Sequence, residues 1–131
     1  MARDVDALTA FLAERSCMPV DWTSNDCVRH AAAAVAAQFG TDPLRGVPRW
    51  RSATGAMRVL TRMGGMEAAV SARLTPIAPA MAMRGDIAGV VCPKFGLLLM
   101  VVEGMTLVGP GETGHVRAPR RAMAMAWSAE P

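Results

Sequence analysis

Residues 26–30 read Asp-Cys-Val-Arg-His, and residues 31–37 continue with Ala-Ala-Ala-Ala-Val-Ala-Ala. This stretch decides the fold, because an alanine-rich run after a capping side chain is typical of a helix. Cys27 then lies where the helix begins, and the partial positive charge at a helix N-terminus favours the thiolate and lowers the thiol pKa. Cys27 is therefore a candidate nucleophile, and the alternative is a small buried apolar residue.

Further helices are predicted on both sides of this stretch. Leu8, Phe11 and Leu12 have helical spacing, which indicates an amphipathic helix that begins near Asp4 or Asp6 and ends before Pro19. The central helix is expected over 26–39, with Gly40 as its C-terminal stop. Two shorter helices are predicted over 52–63 and 66–74.

Beyond Pro76 the pattern changes to short β-favouring runs separated by glycine and proline. The predicted strands cover residues 87–91, 97–102, 105–108, 115–118 and 122–127. A tight hairpin is expected at 102–105. The methionines are interpreted mostly as core residues, with an apolar strand edge as the alternative for Met123 and Met125. Helices followed by an antiparallel sheet predict an α+β fold in one domain, 1–131, with a helical half of about 4–75 and a sheet half of about 84–128.

Composition limits the classes of function. Hydrophobic residues make up 52% of the 131 residues, yet no apolar run approaches the roughly 20 residues that span a bilayer, so no membrane span is predicted. The N-terminus does not read as a secretory signal, and we expect synthesis in the host cytoplasm. The net charge is +3 and Lys94 is the only lysine, but the arginines are scattered with few aromatics between them, so no nucleic-acid partner is predicted.

The three cysteines do not form a recognisable metal or disulfide pattern. An odd count without a signal peptide indicates reduced thiols. Cys27 and His30 have i, i+3 spacing, but no C-x-x-C pair accompanies them, and structural zinc usually needs four ligands. We therefore predict neither a metal site nor a cofactor.

The order of these parts resembles the NlpC-type cell-wall peptidases, which are compact papain-like hydrolases. Asp26-Cys27 matches the pair that heads their helix, and Gly85-Asp86 matches the motif that opens their sheet. The chain is more similar to an uncharacterised offshoot encoded in phage and prophage tail gene clusters. The further shared positions are Asp21-Trp22, Gly40 to Gly46, Gly64-Gly65 and Ala126-Trp127. The resemblance implies a papain-like NlpC-type fold, with N-terminal helices packed on a small C-terminal antiparallel β-sheet.

One departure from that family is decisive for activity. Active members carry a histidine base at the start of the strand after the Gly-Asp strand, where residues 93–98 here contain none. Lys94 is a poor substitute, because an exposed ammonium stays protonated at neutral pH. His30 is interpreted as a packing or surface residue, so the candidate catalytic residues are Cys27 and His115.

The resemblance implies a structural adaptor at the tail tip or baseplate of a tailed phage or phage-like particle. Its expected partners are other tail proteins of the hub, distal-tail and fibre types, with peptidoglycan as a further candidate, and its expected location is the virion. One alternative is an active cysteine peptidase or amidase acting on peptidoglycan during DNA entry, in which Cys27 attacks an amide carbonyl, the helix N-terminus stabilises the oxyanion and His115 is the base. The other is a cytoplasmic tail-assembly factor.

Overall fold

A computed structural model describes residues 2–131, so Met1 of the predicted 1–131 domain lies outside the described residues. The four helices are α1 (Val5–Arg15), α2 (Cys27–Phe39), α3 (Ala53–Arg62) and α4 (Met66–Ser71). Each lies within one to three residues of its predicted position. Within residues 2–131, none of the helices has the length and apolar character needed to cross a membrane.

Helix α2 begins and ends as its sequence predicts. The Asp26 carboxylate accepts hydrogen bonds from the backbone N–H groups of Val28 and Arg29, both at 3.0 Å. At the other end Gly40 adopts φ 76° and donates its N–H to the carbonyl of Ala36. A left-handed residue at this position favours glycine, because glycine has no Cβ to clash with the backbone.

The second half of the chain forms an open six-stranded antiparallel sheet, which confirms the α+β class. Its strands are β1 (Thr75–Ile77), β2 (Ile87–Cys92), β3 (Gly96–Val102), β4 (Thr106–Gly111), β5 (Gly114–Pro119) and β6 (Met123–Ser128). The spatial order is β1-β6-β2-β3-β4-β5. The predicted hairpin is confirmed, since Val102 in β3 pairs with Leu107 in β4.

The sheet differs from the sequence-based expectation at two places. Strand β1 is not among the predicted strands, and as an edge strand it tolerates Pro76, which has no N–H donor. Met123 and Met125 do not form an open edge of the sheet. They pair with Val90 and Gly89 of β2, because β6 lies inside the sheet between β1 and β2.

The sheet buries apolar side chains on both faces. Ile87, Val101 and Trp127 face the helices and belong to the main core. Their neighbours Ala88, Val102 and Ala126 point to the opposite face, where they form a second cluster that includes Ala82 and Ile77. Burial on both faces explains why residues 97–102 are continuously apolar instead of alternating with polar residues.

Asp86 connects the two ends of the described chain. Its Oδ1 atom accepts hydrogen bonds from Arg3 Nη2 at 2.9 Å and from the backbone N–H of Ala129 at 3.0 Å. The neighbouring Gly85 has φ 96°, and its carbonyl accepts a hydrogen bond from Gln38 Nε2 at 2.9 Å. A side chain at Gly85 would collide with the Gln38 amide, so both residues of the Gly85-Asp86 motif have a structural role.

Candidate functional site

Cys27 lies where the sequence predicts, as the first residue of α2. Its side chain is half-buried and lines an apolar hollow of about 150 Å³. Trp22 and Phe95 contribute aromatic rings to this hollow, with centroids 5.8 Å apart, and Leu97 of β3 contributes an aliphatic wall. The thiol is therefore held between the start of a helix and the sheet, in surroundings that contain little polar surface.

Burial controls the protonation state of the Cys27 thiol. Desolvation raises the pKa of this thiol to about 11, and the negative charges of Asp26 and Cys92 act in the same direction. The backbone groups of Leu99 and Cys27 oppose the rise without cancelling it. The sequence predicts a lowered thiol pKa, because Cys27 lies at a helix N-terminus. The loss of hydration on burial outweighs this favourable field of the helix. At neutral pH the sulfur is a thiol and is a poor nucleophile.

The turn after β2 is where the resemblance places a histidine base. Lys94 is exposed in this turn, and its ammonium lies 5.4 Å from the ring centroid of Phe95. No residue of this turn, 93–96, is a histidine. This turn therefore supplies a cation and an aromatic ring to the neighbourhood of Cys27, and no base.

The two histidines of the chain contact each other. His30 Nε2 and His115 Nε2 lie 2.9 Å apart, which is a hydrogen bond in which one ring donates and the other accepts. The rings meet edge to face, with centroids 5.0 Å apart, and His30 also packs against Phe11 at 5.2 Å. His30 is thus a packing residue, as predicted, but its pairing with His115 was not anticipated.

Both imidazoles are held in the neutral form. Burial, with smaller contributions from the positive charges of His115 and Arg15, lowers the pKa of His30 to about 3. Burial also lowers the pKa of His115, and the guanidinium of Arg117 adds to the effect. His30 Nδ1 is buried and has no hydrogen-bond partner within residues 2–131, so the pair adds no further polar contact on that side.

His115 is fixed by its backbone as well as by its ring. Its N–H donates to the carbonyl of Ser16 at 2.9 Å, which ties the start of β5 to the end of α1. The preceding residue Gly114 lies so close to the Ser16 carbonyl that a Cβ would clash with it. The structure therefore brings His115 to His30 and not to Cys27, and the catalytic role of Cys27 and His115 stays a prediction.

The histidine pair does not extend into a metal site. In the part of the chain that the structure describes, no three side chains of histidine, cysteine, aspartate or glutamate converge on one point. Arg15 and Arg117 lie near the pair and add positive charge, which opposes a bound cation. Two imidazole nitrogens alone are fewer than the ligands that structural zinc requires.

A family model described as "Domain of unknown function (DUF6950)" matches residues 2–129. The chain belongs to the DUF6950 family. The matched residues include Cys27, both histidines and the whole sheet, so these features lie within one DUF6950 unit. A search of curated proteins finds none that matches this chain.

A buried polar network in this DUF6950 chain surrounds Asp26, and it was not predicted from the sequence. Asp26 is fully buried, and its Oδ2 atom accepts from Arg29 Nη1 at 2.6 Å and from Trp50 Nε1 at 2.9 Å. Arg29 also donates to the carbonyls of Trp22 and Trp50, and its guanidinium lies 4.7 Å from the Trp50 ring. The available signal was an arginine three residues after the capping aspartate, where the two side chains share a helix face.

Proposed function

We propose that the protein is a structural adaptor in the tail tip or baseplate hub region of a tailed phage or phage-like particle. It uses a degenerate NlpC-like, papain-like fold that no longer cleaves peptides. The order of the matched motifs supports the proposal. Asp26-Cys27 opens α2, Gly85-Asp86 immediately precedes β2, and Trp127 of β6 pairs with Ile87 of β2.

The observation that carries the proposal is the state of the Cys27 thiol. A cysteine hydrolase needs a thiolate or a nearby base that generates one. Here burial raises the pKa of Cys27 to about 11, and the two imidazoles of the chain are bonded to each other instead. An adaptor places no such demand on the thiol, so the non-enzymatic function fits this geometry better.

The two aspartates of the motifs have roles that need no catalysis. Asp26 caps α2 and holds Arg29 and Trp50, and Asp86 holds Arg3 and the backbone of Ala129. A fold that lost its activity would still need these contacts to stay folded, because an unpaired buried donor costs about 1–3 kcal/mol. Retention of both aspartates is therefore consistent with a degenerate enzyme.

Exposed apolar side chains support an adaptor. Met105 in the β3–β4 turn is 87% exposed, and Met81 and Met83 are 71% and 59% exposed. Arg120 connects these two segments, since it donates to the carbonyls of Gly104 and Ala82. Flexible methionine side chains adapt to partner surfaces, so a protein neighbour in the particle is a reasonable way to cover them.

The test combines an activity assay with particle composition. We expect the purified protein to leave peptidoglycan stem peptides uncleaved. Particles carrying Cys27→Ala should contain the protein at the wild-type level, as should those carrying the matched Cys17→Ala variant of an exposed thiol. Cleavage of stem peptides that is lost in Cys27→Ala and kept in Cys17→Ala would overturn the adaptor.

A second candidate is the active cysteine peptidase or amidase. The specific observation in its favour is that Cys27 begins α2 and lines a hollow next to β3, which is a suitable position for a nucleophile. His115 would have to leave His30 to act as its base. A third candidate, the tail-assembly factor, predicts that mass spectrometry of finished particles finds no copy of the protein.

A further inference from the structure

A second concave surface lies on the other side of α2 from the Cys27 hollow. It is a groove of about 510 Å³ between α2 and the loop of residues 42–50. The short side chains of Ala33 and Ala36 form its helix side, and Leu44 and Val47 form part of the loop side. We call it the arginine groove, because Arg15, Arg29, Arg45 and Arg49 also line it.

Three of these arginines have no carboxylate partner. Arg29 is paired with Asp26, but none of the ion pairs within residues 2–131 involves Arg15, Arg45 or Arg49. Arg15 donates from Nη1 to Asn25 Oδ1 at 2.7 Å, while its Nε is buried without a hydrogen-bond partner in that range. The exposed guanidinium groups of Arg45 and Arg49 are therefore the donors of the groove that are open to a partner.

The acidic residues of the groove do not neutralise these cations. Asp42 lines the groove, but one of its oxygens accepts a hydrogen bond from the backbone N–H of Leu44 at 2.9 Å. Asp26 is buried and is occupied by Arg29 and Trp50. Arg15, Arg45 and Arg49 carry three positive charges against the single negative charge of Asp42, which leaves an excess of two positive charges beside an aliphatic floor.

We propose that the arginine groove binds an extended acidic segment of a partner protein. Carboxylates of the segment pair with Arg45 and Arg49, since a planar guanidinium matches a carboxylate through two parallel hydrogen bonds, and Arg15 adds positive charge to the groove. Small apolar side chains of the segment pack on Ala33 and Ala36. The inference rests on the proposed adaptor function and names the chemistry of its partner.

A peptide suits this groove better than a nucleic acid strand. Proteins that hold single strands combine cations with aromatic faces on which bases stack. The aromatic ring of the groove is Trp50, which is 4% exposed and has the Arg29 guanidinium 4.7 Å from its centroid. A base would find no free aromatic face there, whereas carboxylates need only the arginines.

The experiment measures binding of a fluorescein-labelled peptide of alternating glutamate and alanine by anisotropy. Arg45→Gln/Arg49→Gln should weaken binding about tenfold or more, because two charge-assisted contacts are lost. The matched control is Arg58→Gln/Arg62→Gln, which removes the same charge from exposed positions of α3 outside the groove. The control should weaken binding less than about twofold, since distant exposed charges are screened by salt.

A steric variant tests the location without changing charge. Ala36→Leu fills the alanine side of the groove and should also weaken peptide binding, with thermal unfolding used to check that the fold is intact. Equal weakening by both arginine pairs, or unchanged binding by Ala36→Leu, would overturn the groove as the site. Tighter binding of single-stranded DNA than of the peptide would overturn the choice of ligand.

The particle experiment separates this inference from the function on which it rests. If the peptide binds in the groove but the protein is absent from particles, the proposed binding site is supported and the proposed adaptor function is contradicted. If the protein is present in particles but the peptide does not bind, the proposed adaptor function is supported and the proposed binding site is contradicted.

Discussion

His30 Nε2 and His115 Nε2 lie 2.9 Å apart, and this contact joins the first turn of α2 to the start of the edge strand β5. Only one of the two nitrogens can carry a proton at this contact while both rings are neutral. Protonation of both rings would place two N–H donors against each other and break the contact, and burial opposes this by lowering the pKa of each ring.

Truncating His30 should destabilise the fold strongly. His30→Ala removes a fully buried ring, opens a cavity beside Phe11 and leaves His115 Nε2 without its partner, at an expected cost of about 3 kcal/mol. Urea unfolding gives the measurement. Val116→Ala, at a 48% exposed position next to His115, should change the free energy of unfolding by less than about 0.5 kcal/mol. A cost for His30→Ala as small as that of the control would contradict a structural role for the pair.

Stability should fall when the pH is lowered through the range where histidine titrates. The unfolded chain binds a proton at His30 below about pH 6.5, but the folded chain does not do so until about pH 3, so the unfolded state holds more protons between these values. The loss from His30 between pH 7 and pH 5.5 should be about 1 kcal/mol, and His115 adds to it with the same sign.

The matched variant for this pH dependence is His30→Gln, which removes the titrating group and keeps a polar side chain. Its free energy of unfolding should change less between pH 7 and pH 5.5 than that of the wild type. An identical change in the two proteins would show that His30 titrates normally in the folded state.

The Cys27 thiol should react slowly with alkylating agents. A variant with Cys17→Ser and Cys92→Ser leaves Cys27 as the sole thiol, and its iodoacetamide rate should rise with pH up to about 11, the pKa that burial gives it. Mass spectrometry over time gives the rate, and a variant that keeps only the exposed Cys17 is the control. A plateau for Cys27 below pH 8 would mean that the thiol is activated, and would favour the peptidase.

Loss of the Asp26 carboxylate should be among the most damaging changes on α2. Asp26→Ala removes the helix cap and leaves the Arg29 guanidinium and Trp50 Nε1 without their buried acceptor, with an expected cost of about 3–5 kcal/mol. Asp21→Ala is the comparison, because exposed Asp21 accepts bonds from Thr23 outside any helix. Its cost should be about 1 kcal/mol or less by chemical denaturation.

A methyl group at Gly85 should be poorly tolerated. Gly85→Ala combines a left-handed φ of 96° with a collision against the Gln38 amide, and we expect a loss of about 2 kcal/mol or more. Gly96→Ala is the matched control, because Gly96 has a similar φ of 79° but open space where an added Cβ would lie. This variant should cost about 1 kcal/mol of unfolding free energy. Comparable melting temperatures for the two variants would contradict the close packing of Gln38 against Gly85.

Much of the fold was predictable because its signals are local. Caps and stops such as Asp26 and Gly40 fix the ends of α2, and the apolar runs between glycines and prolines mark five of the six strands. Strand β1 was missed because its three residues carry no apolar pattern of their own. It exists because Thr75–Ile77 pairs with residues 126–128 of β6, which is a tertiary interaction.

The candidate site was less predictable because it depends on contacts distant in sequence. The position of Cys27 at the start of a helix follows from its neighbours, but the rise in its thiol pKa follows from Trp22, Phe95 and Leu97 closing around it. The pairing of His30 with His115 joins residues 85 positions apart, and nothing local to either residue predicts it. The same holds for Arg15 and Arg49, which line the same groove although they are distant in sequence.

The carboxylate of Asp86 has a practical implication for handling the protein. Because it holds Arg3 and Ala129 together, residues near both ends of the described chain emerge from the same region of the surface. A short linker between these ends, with new termini opened at Gly64-Gly65, should yield a circularly permuted protein with the same sheet. Affinity tags placed on Arg3 and Ala129 would therefore lie close to each other on the surface.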